Sequence, residues 1–257
     1  KIAPPKSYLN DVRVELLETG DFAYITDSGL GAIIVVDLTT NKARRLLDGH
    51  ESTQADASFV PVIGGRPWRG GDGNVPQIHS DGIALDQRGG FLYWQSLTGK
   101  RLFGCATAML RDAGLMAAQL DGAIRDLGQT VMTDGMECDE NGVLYFSALE
   151  QDAIVVRTPD GELHTLVSDP AIAWPDSFAL SKGRMPRTRK PQPLIVFTTA
   201  QIHRSRMFSA DGQPPREPYR VLAAPAWARP IPTRTEESVP ARPPSRCIWR
   251  VSASRCT

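Results

Sequence analysis

Four acid or amide side chains recur at matching places in this chain. They are Asn10 in "LNDVRVE", Asp81 in "SDGIALD", Asp134 in "TDGMECD" and Asp176 in "PDSFALS". Hard oxygen ligands of this kind, brought to one point, suit Ca²⁺, or Mg²⁺ or Mn²⁺ with waters. Converging carboxylates repel, so such a group must protonate, pair with a base or take up a cation. A structural reading stands beside this one: each Asp caps its strand by accepting nearby backbone N–H groups in an Asx turn. His79 lies two residues before Asp81 and adds a titratable ring at the same place. His203, in "TAQIHR", follows a later apolar run. Ser28 and Ser177 stand near acids, but the G-x-S-x-G elbow of a hydrolase nucleophile is missing around them.

The elements that must position these residues form a repeat. Asp11, Asp81, Asp134 and Asp176 begin four similar segments, 70, 53 and 42 residues apart. In each, an alternating run such as Met136-Glu137-Cys138 leads to a turn and then to an aromatic-rich run: Phe22–Ile25, Phe91–Trp94, Val143–Phe146 or Leu194–Thr198. A third run follows, as in Ile33–Asp37 and Ala153–Arg157, and turn residues separate them all. Four strands in roughly 40–50 residues is the pattern of a propeller blade. The sequence therefore predicts an all-β chain, a β-propeller domain over residues 1–222 with blades starting near 10, 80, 133 and 175. First strands of blades line a propeller's channel, so Asn10, Asp81, Asp134 and Asp176 are expected to ring one channel mouth, with His79 beside them. Alternation predicts Met136 and Cys138 buried between blades and Glu137 turned the other way. Trp94, Phe146, Trp174 and Phe178 read as packing between blades.

Between these runs, the Gly- and Pro-rich stretch 48–78 reads as an exposed insertion overhanging one face of the propeller. Its "GGRPWRGGDG" lacks the Lys-Ser/Thr of a phosphate loop. Residues 106–115, "ATAMLRDAGL", read as one short helix. The insertion "KGRMPRTRKPQP", 182–193, interrupts a strand pair, and residues 223–257 form a Pro/Arg-rich tail that resembles a frame-shifted reading; both are expected to be disordered.

The formal net charge of zero hides an asymmetry. Residues 1–181 carry 14 Lys/Arg against 25 Asp/Glu, and residues 182–257 carry 15 against 4. The basic part has no aromatic interleaving, which argues against a nucleic-acid partner. The longest aliphatic run, Ala32 to Val36, is far too short for a membrane span. Cys105, Cys138, Cys247 and Cys256 form no C-x-x-C pair, so a zinc site is not expected. The first two sit in apolar surroundings as buried thiols, and the last two are free to pair.

"APPKSYLNDVRVE", "FAYITDSGLGAIIVVDL", "SDGIALDQRGGFLYWQSLTGKRLF", "DGMECDENGVLYFSALEQDAI" and "WPDSFAL" with "FTTAQIHR" together resemble the major royal jelly and Yellow family, in a bacterial-type version. The resemblance implies a six-bladed, secreted propeller, hence an extracellular or periplasmic location, and no single shared reaction. Some members bind small amines. The chain departs from the family in carrying four repeats, so roughly two N-terminal blades are expected to be missing. It is also similar, at the blade openings, to gluconolactonase and regucalcin-like propellers, where such residues bind a divalent ion that activates lactone hydrolysis. That implies a metal set of Asn10, Asp81 and Asp134, while the family's first-blade Glu would fall in the missing part. The first expectation is thus a binding protein for a small polar or amine ligand at the channel mouth. The alternatives are a metal-dependent lactonase-type hydrolase using an ion such as Ca²⁺, and a fragment without activity.

Overall fold

The structure, a computed structural model, describes residues 1–182, 193–204 and 219–227, and the backbone of residues 249–250. Four antiparallel four-stranded sheets follow one another along the chain. The first blade holds β1 (Leu9–Glu15), β2 (Phe22–Asp27), β3 (Ile33–Asp37) and β4 (Lys42–Leu46). A small hairpin, β5 (Val62–Ile63) and β6 (Arg66–Pro67), lies in the insertion. The second blade holds β7 (Ser80–Asp86), β8 (Phe91–Ser96), β9 (Arg101–Ala106) and β10 (Arg125–Gln129), with α1 (Thr107–Arg111) and α2 (Ala117–Asp121) before its last strand. The third holds β11 (Thr133–Cys138), β12 (Leu144–Ala148), β13 (Ala153–Arg157) and β14 (Leu163–Ser168). The fourth holds β15 (Pro175–Ser181), β16 (Leu194–Thr199), β17 (Arg220–Pro225) and β18 (Trp249–Arg250). Strand order within every blade is sequential, and β1, β7, β11 and β15 neighbour one another as the inner strands. This is a propeller arrangement of four blades.

Period-two alternation sorts side chains between the blades. Leu92 and Trp94 of β8 face Tyr24, Ile33 and Val35 of the first blade. Leu144 and Phe146 of β12 join Met136, Cys138 and Val155 against Ala84 and Leu102 of the second. The intervening Tyr145, with Ile154 and Val156, faces Ile195, Phe197 and Leu222 of the fourth. Each interface is thus a stripe of β-branched, aliphatic and aromatic residues, which is what a sheet covered on both faces requires.

Every inner strand breaks its register at the same place. The pairings jump from Leu9 to Val12, Ser80 to Ile83, Thr133 to Met136 and Pro175 to Phe178, while the second strand of each blade advances by two residues only. Two residues therefore face one, which is a β-bulge. The bulged pairs are Asn10-Asp11, Asp81-Gly82, Asp134-Gly135 and Asp176-Ser177. Hydroxyls of the second strand serve the irregular backbone: Thr26 Oγ1 accepts from the Asp11 amide at 3.2 Å and Ser147 Oγ from the Asp134 amide at 2.9 Å. The two glycines are there for space. A methyl at Gly82 would sit 2.5 Å from the carbonyl oxygen of Asp134 in the next blade, and one at Gly135 closer still to that of Asp176.

Several expectations change. The insertion is packed rather than exposed throughout: Ile63 and Trp68 are buried with Leu97, Met132, Leu149 and Trp174. It does lie over the face where the inner strands begin. The expected helix 106–115 is shorter, α1 alone, because Asp112 leaves helical geometry and its carboxylate accepts from the Gly114 amide at 2.8 Å, and α2 follows beyond the expected range. The last described blade runs past residue 222: β17 continues to Pro225, and Trp249–Arg250 pair with it. The rest of the expected tail, the 183–192 part of the basic insertion, and Cys247 and Cys256 lie outside the described residues. Met136, Cys138 and Glu137 follow the predicted alternation, the first two buried and Glu137 half-buried.

The glycine contacts set a test. Gly82→Ala should destabilise the fold by about 1–3 kcal/mol through overpacking against the next blade. Ser177→Ala, at the equivalent exposed position of the fourth blade, should change it by less than about 0.5 kcal/mol. Urea denaturation of both variants measures this, and equal effects would refute the close-approach account.

Candidate functional site

The bulges bring the expected acids and amide together from four blades. Asn10 Nδ2 donates to Asp81 Oδ1, linking the first blade to the second. Asp134 Oδ2 accepts from Trp174 Nε1 at 2.6 Å. Asp81 is 3% and Asp134 7% exposed, whereas Asp11 and Asp176 are half-buried. Their charges act on one another. Burial first, then the charge of Asp11, raises the Asp81 carboxyl to about pH 8, with Ser28, Asn10 and Asp176 contributing smaller effects. Burial, then Asp81 and Asp176, raise Asp134 well above the usual carboxylate range. Asp11 rises to about 6, again from burial, with Arg13 opposing and Asp176 and Glu137 adding. Burial raises Asp176 as well.

The capping reading does not describe these side chains. Asp27, Asp37, Asp86, Asp126 and Asp139 all accept backbone N–H groups in turns. Among the described residues, the carboxylates of Asp81, Asp134 and Asp176 accept only from the side chains of Asn10, Trp174 and Ser177. Beside Asp81, the Ser28 hydroxyl is buried, completes no hydrogen bond, and favours the charged acid. Turn chemistry therefore places the other acids, and the bulge places these.

His79 is not brought into this group. Its Nδ1 accepts from the Ala55 amide at 3.1 Å, pinning the insertion to the second blade, and burial lowers its pKa with Asp27 opposing. His203 lies near the site's edge, stacked on Trp174 with ring centroids 5.4 Å apart. Burial holds it near pKa 4, and its Nδ1 is buried without a partner. Trp174 thus carries more than packing: it also meets Trp68 of the insertion edge-on at 5.2 Å.

Sequence reasoning placed Asp11 at a blade start and turned Glu137 toward solvent or channel, but assigned neither of them, nor Arg13, to the site. The signal was in the alignment of bulges, where the third residue after Asn10, Asp81, Asp134 and Asp176 is Arg13, Ala84, Glu137 and Ala179. Only the first and third blades carry charge there. Arg13 Nη2 donates to the Met136 carbonyl and lies 3.9 Å from Glu137 Oε2.

As for metal, no group of three His, Cys, Asp or Glu among the described residues is arranged to hold an ion. The fit is poor in kind as well: Asn10 turns its amide nitrogen to Asp81, and Asp134 is engaged by an indole N–H. A cleft of about 490 Å³, lined by Glu51, Asp56, Phe59, Lys100, Phe103 and Gln129 among others, lies away from these acids.

Sheet order, inner-strand bulges and an acid-lined axis define a β-propeller with its polar chemistry at the blade openings. A profile of the major royal jelly protein family matches residues 1–190, and the chain belongs to that family. No curated protein matches it in sequence. Among solved structures it is similar to a chain of a nidogen/laminin complex, at 15% identity and TM-score 0.48 over 75% of this chain and 57% of that one. Regucalcin, a calcium-binding protein from Agrobacterium tumefaciens, gives 16% and 0.45 over 77% and 55%. A gluconolactonase from Xanthomonas campestris gives 21% and 0.39 over 57% and 43%. The chain spans about half the length of these relatives.

The raised carboxyl of Asp81 has a pH signature. From 3.8 to about 8 the folded chain keeps a proton that the unfolded chain releases. Its stabilising contribution is therefore complete below pH about 4 and lost as pH rises through about 8. Asp81→Asn should remove this decline, gaining most on wild type at pH 8 to 9. Denaturation midpoints across pH 4–9 measure it, and parallel curves for the two proteins would refute it.

Proposed function

We propose that the protein binds a small organic cation, a primary amine, at the carboxylates of Asp81 and Asp134, with Asn10, Asp176 and Ser28 around them. The observation that carries this reading is that two almost fully buried acids on neighbouring blades accept, among the described residues, only from the neutral Asn10 amide and Trp174 indole, with no cation paired to either. Burying a charge costs several kcal/mol unless it is paired, so such acids hold protons until a counter-charge arrives. An ammonium supplies that charge together with three N–H donors. The indole N–H of Trp174 holds the Asp134 carboxyl in place beside Asp81. His79 serves this reading by fixing the insertion beside the site. Ca²⁺-dependent lactone hydrolysis finds less support, because Asn10 and Trp174 present N–H groups to the acids where an ion would need oxygen ligands, and no three His, Cys, Asp or Glu among the described residues are grouped to hold one. Family membership supports an extracellular or periplasmic location. No helix of the described residues is long and apolar enough to cross a membrane.

A cation that displaces a proton binds more tightly as pH rises. Affinity for butylamine or phenethylamine should increase by up to about tenfold per pH unit below pH 8, the slope for one proton released per cation bound. Calorimetry in two buffers of different ionisation enthalpy reads the released proton directly. Asp134→Asn should weaken binding. Absence of heat with either amine between pH 6 and 9 would refute the proposal. Thermal melts with Ca²⁺, Mn²⁺ or chelator test the alternative, since an ion at 100 times its Kd would add about 2.7 kcal/mol. That gain, lost in Asp134→Ala, would favour the metal reading instead.

A further inference from the structure

We infer that Arg13 is a tethered counter-cation that fills the inner end of the acid-lined axis, and so restricts the ligand to a single positive charge at the outer end. The inference rests on the amine reading above and specifies the ligand further.

The axis has two levels. The outer level is the bulge, with Asn10, Asp81, Asp134 and Asp176. The inner level is the position three residues on, where the partner strand has advanced by two residues, about 6.8 Å. At the inner level the first blade presents Arg13 and the third presents Glu137, while Ala84 stands in the blade between them. Arg13 crosses to the third blade: its Nη2 reaches the carbonyl of Met136 and approaches Glu137, and its Nη1 donates to the Val12 carbonyl at 2.9 Å.

Charge compensation differs between the levels. Arg13 opposes the raised pKa of Asp11. Its hydrogen bonds and ion pair go to Met136, Val12 and Glu137 and not to Asp81, Asp134 or Asp176. Arg13 thus meets Glu137 at the inner level and Asp11 at the edge of the bulge, while Asp81 and Asp134 are left with the neutral partners Asn10 and Trp174. The guanidinium is also imperfectly served, because its Nε is buried without a partner. It is held by the surrounding acids rather than by a complete hydrogen-bond set. A guanidinium has five N–H donors, and one left unmade in a buried place costs free energy.

A molecule with two ammonium groups spaced by a four- or five-carbon chain would span the two levels, but its second charge meets Arg13. The wild type should therefore prefer butylamine to 1,4-diaminobutane. Arg13→Gln removes the charge and exposes Asp11 and Glu137 to the ligand. It should shift selectivity toward the diamine by at least about tenfold, the worth of one further ion pair near 1.4 kcal/mol. Arg13→Lys keeps the charge and should keep the wild-type preference.

Calorimetric titration of the two amines into all three proteins tests this, with thermal melts to establish that each variant is folded. Unchanged selectivity in a folded Arg13→Gln would overturn the inference while leaving the amine reading intact. A wild type that binds neither amine removes the amine reading. In that case diamine binding by Arg13→Gln alone would still support Arg13 as the occluding cation, and no binding by either would overturn both.

Discussion

The two-against-one pairing at the start of each inner strand is the constraint on which the rest of the axis depends. A regular strand would give alternate residues to alternate faces, and both faces of the second and third blades are committed to apolar packing. An acid in phase with Met136 and Cys138 would enter the core. The extra residue breaks that phase for one position, so Asp81 and Asp134 leave the sheet plane toward the axis while Ile83 and Met136 resume their places between blades. The same irregularity brings neighbouring blades so close that only glycine fits at 82 and 135. Site and interblade contact are therefore one feature.

Burial at that point changes the chemistry of the acids. On the surface, Asp37 and Asp86 stay ordinary turn residues, served by backbone amides. Around Asp81 and Asp134 no such amide is found among the described residues, and these carboxylates are pushed toward neutrality by loss of water and by neighbouring acids. The chain answers with one internal cation on the first blade, aromatic N–H on Trp174, and an amide on Asn10. Arg13 serves Asp11 and Glu137, and Asn10 and Trp174 serve one carboxyl each with neutral donors, which leaves Asp81 and Asp134 with proton affinity to exchange.

Much of this architecture was legible in the sequence, because blade packing is written in period two and turns in Gly, Asn and Asp. "TDGMECDENGVLYFSALEQDAIVVRTPDGELHTLV" reads as a blade on sight. The equivalence of Asn10 with three aspartates was also readable, from position alone. Three things were not. Whether an Asp caps a turn or points to an axis depends on a bulge that leaves no composition signal beyond the following Gly. The reach of Arg13 to Met136 crosses 123 residues of sequence. The insertion looked exposed because Gly and Pro dominate it, yet Ile63 and Trp68 alone suffice to bury its hairpin against Trp174.

Trp174 has a further consequence. Its indole is fully buried, with its N–H on Asp134 and its ring against His203 and Trp68. An indole's excited state carries a larger dipole than its ground state, so a charge appearing at the pyrrole end shifts the colour of emission, and a nearby carboxylate changes its yield. Filling or emptying the axis, adding or removing its proton, and lifting the insertion each alter the field at one chromophore. The protein thus contains its own optical gauge of axial charge, readable in light without any label attached.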